Sequence, residues 1–492
     1  MTEAVVINQL PSGVPGLDVV LGGGIPEFSF TLIAGSPGCG KTTLAHQIMF
    51  ATATPQRTAL YITILGEPPL KMLRYQQQFA FFDAEKLSTC VRFLHLGSEL
   101  IEGGLGKVLE RVVQEVTAMQ PSMVFVDSFR AAVAKSEEPG QLGLHDFVQR
   151  LSVYLTGWEA TTFLVGEYDE SEMGHNPLFT VADAIVWLSQ ERSRNSMVRQ
   201  AKVVKMRGQA QLPGLHTMKI SSAGVKIYPR LMSPDIPRDL VDTTARRGTG
   251  VAALDSMLGG GLPIGYSMLV AGPSGSGKTV LASQFVREGL ARGETAVIAV
   301  FEQRPEAFLS RTPHGPALRS GTEANRLRLL DMRPVDLSID ETMETLALAV
   351  DKLGATRVVI DSLSGFELAL APAFREDFRE AAYRMIAELV NLGVSVLMTA
   401  EVVDSYTELR LAPHGISFLT DGLILQRFVE IDGVMRKILA VTKMRGLEHS
   451  HDVRLYDIDA TGIVVRDRPT GYEGILTGAP RARSEVAPRE NS

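Results

Sequence analysis

The eight residues Gly35-Ser36-Pro37-Gly38-Cys39-Gly40-Lys41-Thr42 return later in the chain as Gly272-Pro273-Ser274-Gly275-Ser276-Gly277-Lys278-Thr279. Both fit G-x-x-x-x-G-K-[ST], a loop whose glycines let the backbone curl until successive N–H groups face an anion. The lysine adds a mobile positive charge, the threonine hydroxyl can ligate Mg²⁺, and the helix that follows presents its positive end. Such a loop works only between a buried strand and a helix. Residues 30–34 and 268–271 are apolar runs, and Thr43-Leu44-Ala45-His46-Gln47-Ile48 and Val280-Leu281-Ala282-Ser283-Gln284-Phe285 are helical patterns. The spacing therefore predicts two polyphosphate cradles, residues 35–43 and 272–280, with Thr42 and Thr279 as metal ligands.

The loops belong to a longer repetition. Ser12-Gly13-Val14-Pro15-Gly16-Leu17-Asp18 and Leu21-Gly22-Gly23-Gly24-Ile25-Pro26 precede the first loop. Thr249-Gly250-Val251-Ala252-Ala253-Leu254-Asp255 and Leu258-Gly259-Gly260-Gly261-Leu262-Pro263 precede the second. Asp18 to Asp255 and Lys41 to Lys278 are each offset by 237 residues, Asp127 to Asp361 by 234, and Lys205 to Lys443 by 238. Four landmarks in one order at nearly constant offset mean a duplicated domain, and the period is far longer than that of a solenoid.

Within each copy, short β-branched runs alternate with amphipathic stretches. Residues 59–64, 123–127 and 161–165 read as strands, and 105–119 as a helix with Leu105, Val108, Leu109, Val112 and Val116 on one face. The pattern predicts an α/β protein of two tandem P-loop domains, each a mainly parallel twisted sheet flanked by helices, with ligand at the carboxyl edge. The expected boundaries are 1–230 and 248–470 for the domains, a proline- and charge-containing linker over 231–247, and a tail over 471–492.

The chain has 492 residues, a net charge of −7 and two cysteines, Cys39 and Cys90. An acidic balance provides no global field to recruit nucleic acid, and two cysteines propose no disulfide framework. No basic-then-apolar leader and no apolar run near the ~20 residues of a membrane span is seen, so a cytoplasmic protein without membrane contact is expected.

Beyond the loops, Asp127 and Asp361 each end an apolar strand, where a P-loop enzyme places the acid that holds Mg²⁺ or its water. Hydrolysis also needs a carboxylate to activate water, and Glu67 and Glu302 follow the second strand of each copy. Lys205 with Arg207, and Lys443 with Arg445, sit two apart in strand-like stretches, so each pair points to one side and suits triphosphate charge.

As a set, these residues resemble the RecA-like P-loop ATPases and, within them, the KaiC family of circadian clock ATPases. The resemblance rests on Leu-Gly-Gly-Gly-Ile/Leu-Pro before the first strand, the two loops, Asp127-Ser128 and Asp361-Ser362, and Lys205-Met206-Arg207-Gly208 with Lys443-Met444-Arg445-Gly446, in tandem across nearly the whole chain. It implies ATP and Mg²⁺ as cofactors and a homo-hexameric double ring in which the late lysine and arginine reach a neighbour's nucleotide. It further implies hydrolysis in the first ring and autokinase and autophosphatase activity in the second. Family members carry two adjacent glutamates after the second strand, whereas this chain has Gly66-Glu67 and Glu302-Gln303, so turnover is expected of the second copy more than of the first. The family's adjacent Ser-Thr phosphoacceptors fall here on Ser417 and Phe418, which removes the two-site pattern and leaves Ser417 as either a single phosphoacceptor or a plain loop serine before the strand at 422–425. The segment 472–480 resembles the tail that controls the kinase, and a signalling protein would read the second ring or that tail. Two alternatives stand beside this reading. One is a RecA/RadA-type DNA-dependent ATPase, for which the basic residues between Arg192 and Arg207 speak and the acidic balance does not. The other is a nucleotide-stabilised scaffold with negligible turnover.

Overall fold

The computed structural model describes residues 7–64, 69–127, 143–174, 176–193, 196–230, 245–333, 337–402, 419–477 and 481–482. The chain divides into two compact units, Met1–Leu231 and Met232–Ser492. Each is built on one nine-stranded sheet, and the two sheets have the same strand order.

In the first unit the order from edge to edge is Gly224–Tyr228, His216–Ser221, Ser196–Met206, Ala184–Ser193, Phe30–Gly35, Thr161–Glu167, Met123–Asp127, Ala59–Thr63, Val91–His95. The last six named run parallel, and the first three add as antiparallel hairpins. In the second unit the parallel strands are Gly422–Ile431, Ser267–Gly272, Ser395–Glu401, Arg357–Asp361, Ala296–Val300 and Leu327–Asp331. The mainly parallel α/β architecture is the one expected from the alternation of apolar runs and amphipathic stretches.

Strand alternation explains why these runs are apolar throughout. Along Phe30–Gly35, the side chains of Phe30, Leu32 and Ala34 enter one core and Ile33 enters the other. Leu60 and Ile62 separate from Ala59 and Tyr61 in the same way, as do Val124 and Val126 from Met123 and Phe125. A sheet covered on both faces needs apolar residues at every position, so its strands read as continuous hydrophobic runs. The helix Lys41–Thr52 packs Leu44, Ala45, Ile48 and Met49 on one face, and the helices Gly97–Met119 and Leu144–Gly157 cover the other. The first of these two extends the expected 105–119 helix by a turn and more, with a break in helical geometry at Gly103 and Gly104.

The strand Phe30–Gly35 feeds the first phosphate loop, but the next strand in sequence, Ala59–Thr63, lies beyond two intervening strands. That crossover opens a crevice at the carboxyl ends of the strands, where open α/β sheets bind ligands. Asp127 and Glu167 end the intervening strands. Residues Arg246–Arg247, at the end of the expected linker, form a short strand paired with Leu262–Pro263 of the second unit. In the expected tail, Tyr472–Glu473 pairs with Arg481–Ala482.

Arg357 begins the strand that ends in Asp361 and is fully buried. Its guanidinium donates to both carboxylate oxygens of Glu294 (2.7 and 3.2 Å), to the Gly248 carbonyl (2.7 Å) and to the Phe285 carbonyl (2.8 Å). It also lies 4.4 Å from the Phe285 ring centre. Arg357→Ala is expected to destabilise the second unit by ~3 kcal/mol, because Glu294 is left with only Arg247 and Thr356 and two carbonyls each lose a donor. The second transition in a urea titration reads this directly.

Candidate functional site

Both phosphate loops close in the same way. Gly40 and Gly277 precede their helices with φ of 105° and 96°, a conformation that side-chain-bearing residues rarely adopt. A Cβ there would stand 2.5 Å from Ile220 Cδ1 in the first unit and 2.5 Å from Ile458 Cδ1 in the second. The lysines fold onto their own loops. Lys41 Nζ donates to the Ser36 carbonyl (2.8 Å), and Lys278 Nζ to the carbonyls of Gly272 and Pro273 (2.8 Å each). Burial pulls the Lys278 ammonium below the ordinary lysine range, while Glu401, Asp361 and Glu302 pull it back up. Cys39 is buried inside the first loop, and that burial raises its thiol above the ordinary range.

The threonine after each lysine reaches the strand-end acid. Thr42 Oγ1 donates to Asp127 Oδ2 at 2.9 Å, and Thr279 Oγ1 to Asp361 Oδ2 at 3.0 Å. Both acids are buried, and burial raises both above the usual carboxylate range. Each takes a further hydroxyl donor, from a different neighbouring strand. In the first unit Tyr61 OH donates to Asp127 at 2.8 Å; in the second Thr399 Oγ1 donates to Asp361 at 2.5 Å. Among the described residues no three His, Cys, Asp or Glu side chains form a metal site by themselves. One hydroxyl beside one carboxylate is the donor set of a Mg²⁺ that arrives with its nucleotide and keeps phosphate and water ligands. The residues fit that group.

In the second unit these groups line a cavity of about 300 Å³ walled by Ser274, Gly275, Lys278, Thr279, Glu302, Asp361, Ser362 and Glu401, with Ile458 at one side. The candidate base Glu302 is thus brought to the loop lysine and the metal acid. Glu67 and Ser417 lie outside the described residues. The sequence still shows which residue corresponds to Glu302 in the first half. Thr63 pairs with Asp127 as Val300 pairs with Asp361, so the residue equivalent to Glu302 in the chain is Leu65. Glu67 stands two positions further on.

Lys205 and Arg207 do not join their own loop, nor do Lys443 and Arg445. Lys205 is level with Ile185 and hence with Leu32, three residues or ~10 Å before the strand end that carries the loop. Lys443 pairs with Leu423, which is level with Leu269. At this amino edge Lys205 Nζ donates to the Thr180 carbonyl (2.8 Å) and Arg207 Nη1 to Asp183 (3.1 Å). Lys443 Nζ donates to the Thr420 carbonyl (2.5 Å), and Arg445 lies 3.7 Å from Asp421. The two members of each pair do converge, and they do so at the sheet edge opposite their own phosphate cradle.

Sequence reasoning passed over Glu167 and Glu401. Each ends the strand beside the loop strand, paired with Gly35 and Gly272 respectively. Glu167 lies 4.0 Å from Lys41 Nζ, and Glu401 lines the cavity. The signal was present, because the pair shares the 234-residue offset of Asp127 and Asp361.

Two parallel-sheet units, each with a phosphate loop tied by a hydroxyl to a buried strand-end acid, define tandem P-loop ATPase domains of the RecA-like class. A family model for the KaiC ATPases matches residues 10–232 and 247–470, and the chain belongs to that family. It is 27% identical over 497 residues to the circadian clock protein KaiC3 of Synechocystis sp. (strain ATCC 27184 / PCC 6803 / Kazusa), covering 98% of this chain and 96% of that protein. It is 26% identical over 489 residues to the circadian clock oscillator protein KaiC of Rippkaea orientalis, covering 96% and 92%. No helix among the described residues is long and apolar enough to cross a membrane.

Because burial raises Asp361, the ligand-free fold binds its proton more tightly than the unfolded chain does. Ionised Asp361 therefore costs stability above its folded pKa, and the cost vanishes below the unfolded value near ~4. Asp361→Asn is expected to raise the melting temperature of nucleotide-free, EDTA-treated protein by about 2–4 °C at pH 8, with the difference closing toward pH 4. Calorimetry across that pH range checks both the sign and the window.

Proposed function

We propose that the chain is a Mg²⁺-dependent ATPase whose chemistry takes place at the second site, with the first site holding nucleotide. The observation that carries this reading is the cavity in which Lys278, Thr279, Asp361 and Glu302 share one wall system. Lys278 would leave its loop carbonyls for the β- and γ-phosphates, and the backbone N–H groups of residues 272–280 would cradle them. Mg²⁺, held through Thr279 and Asp361, would neutralise charge on the phosphates. Glu302 would take a proton from water as that water attacks the γ-phosphorus. The first site has the same loop, threonine and acid, but leucine stands at the base position, which favours binding over turnover there.

The late pairs extend the reading to assembly. Lys205/Arg207 and Lys443/Arg445 sit at the edge opposite their own cradle, so a neighbouring copy supplies the phosphate they would contact, and a homo-hexameric ring meets that need. Ser417 is the proposed acceptor when a serine hydroxyl replaces water as the nucleophile. The protein would then be a phosphoprotein and serine autokinase whose state a signalling protein reads at the second ring or tail, in the cytoplasm.

Incubation with Mg-ATP, followed by phosphate-release kinetics and intact mass, tests the proposal. Lys278→Ala is expected to lower phosphate release at least ~10-fold more than Lys41→Ala does. Any added phosphate should map to Ser417 and be absent from Ser417→Ala. Equal losses from the two lysine variants would remove the division of labour, and release without covalent phosphate would remove the kinase.

A further inference from the structure

Glu302 stands just past the strand Ala296–Val300, and its side chain is exposed to the cavity. A solvent-facing glutamate has several rotamers available, and a general base works only when held at one distance from its proton. Two features of the neighbouring segment supply that restraint. Ser362 Oγ donates to Glu302 Oε1 in a short contact. That hydroxyl is itself oriented, because Oγ accepts the Gly365 N–H at 2.9 Å and so directs its proton toward the carboxylate. Gly365 provides the space. A Cβ at that position would lie 2.7 Å from Glu302 Cγ, 2.9 Å from Phe301 Cβ and 3.2 Å from Glu302 Oε1. Phe301 in turn packs on Phe366, with ring centres 5.2 Å apart, so the backbone beside Glu302 has little room to retreat. Relief of the clash needs the Glu302 side chain to move, with a smaller adjustment at Phe301.

The other half of the chain provides an independent comparison. Under the 234-residue offset of the metal acids, Ala131 occupies the place of Gly365. Under the 237-residue offset of the loop lysines, Leu65 corresponds to Glu302. The serine is kept, as Ser128 and Ser362. Glutamate and glycine thus occur together in one copy, and leucine and alanine together in the other.

We propose that Ser362 and Gly365 are positioning residues for Glu302: the hydroxyl fixes the carboxylate, and the missing Cβ leaves room for it to dock. This inference rests on the assignment of ATP hydrolysis to the second site. It also accounts for the joint occurrence of Glu302 with Gly365 in one copy and of Leu65 with Ala131 in the other.

The full-length protein carrying Ser362→Ala, Ser362→Thr or Gly365→Ala is assayed for Mg-ATP-dependent phosphate release, and a crystal structure of Gly365→Ala is determined. Ser362→Ala and Gly365→Ala should each lower kcat by ~10- to 100-fold while KM for ATP stays within about threefold, since a base displaced by an ångström costs rate rather than binding. Ser362→Thr, which keeps the hydroxyl, should recover most of the rate. In the crystal, Glu302 should have left Ser362. Unchanged kcat in both variants, parallel loss of kcat and ATP affinity, or phosphate found on Ser362 itself would overturn the positioning role. A parent protein that releases no phosphate would overturn the ATPase assignment instead. The crystal structure then decides the positioning role alone: Glu302 displaced from Ser362 supports it, and Glu302 still seated there refutes it.

Discussion

A buried carboxylate at the end of a central strand is the constraint around which each unit is arranged. Asp127 and Asp361 have lost most of their water, and burial alone would leave them costly. The threonine after the loop lysine answers part of that need by donating to the acid, and in doing so it ties the phosphate loop to a strand two places away in the sheet. The loop, the helix behind it and the carboxyl edge of the sheet are thereby held in one geometry before any nucleotide arrives. Preorganisation of this kind is what lets fixed dipoles and charges act on a polyphosphate without reorganising at the moment of reaction.

The two copies meet the same need with different residues. In the first, the further donor is Tyr61, a phenol fully enclosed in the core. Its ring stacks on His46 at 4.4 Å between centres, and the Phe125 and Phe163 rings continue the stack across the sheet face. Among the described residues neither His46 ring nitrogen makes a hydrogen bond of good geometry, and burial pushes its pKa down to about 3 against a weaker opposing pull from the Thr42 backbone, so the neutral imidazole serves as an aromatic wall. In the second copy the donor is the small hydroxyl of Thr399, from the strand on the other side, and Ile298 occupies the register position of Tyr61. One half has invested the space beside its acid in aromatic packing. The other keeps a polar cavity with Glu302 and Glu401 in its wall. Duplication has left two similar cradles with different surroundings, and the proposed division between holding a nucleotide and cleaving it rests on those surroundings.

Much of this was legible in the sequence because the repeat supplied its own control. The nearly constant offset of the loops, the strand-end acids and the late basic pairs exposed the duplication, and apolar runs such as residues 32–34 and 123–126 announced strands covered on both faces. Each loop follows a buried strand, and Asp127 and Asp361 each end one. Strand alternation correctly brought Lys205 and Arg207 together, since it is a local property, but it carried no information about which end of the sheet they occupy. That depends on strand order, which long-range pairing decides. Glu167 and Glu401 were visible as a pair at the right offset, yet a single glutamate at a strand end has many uses, and only the pairing with Gly35 and Gly272 places them at the cradle. The exchange of Tyr61 for Thr399 left no trace in the sequence, because the donors come from non-equivalent positions that become equivalent only in three dimensions.

The proposed division of labour requires hydrolysis to occur at the second cradle and to depend on Glu302. Single-turnover phosphate release, compared among the parent, Glu302→Gln and Glu67→Gln at saturating Mg-ATP, addresses it most directly. Glu302→Gln is expected to lose ~100-fold or more, with a far smaller change for Glu67→Gln. A large loss for Glu67→Gln with near-parental release from Glu302→Gln would place the chemistry in the first cradle and contradict the account.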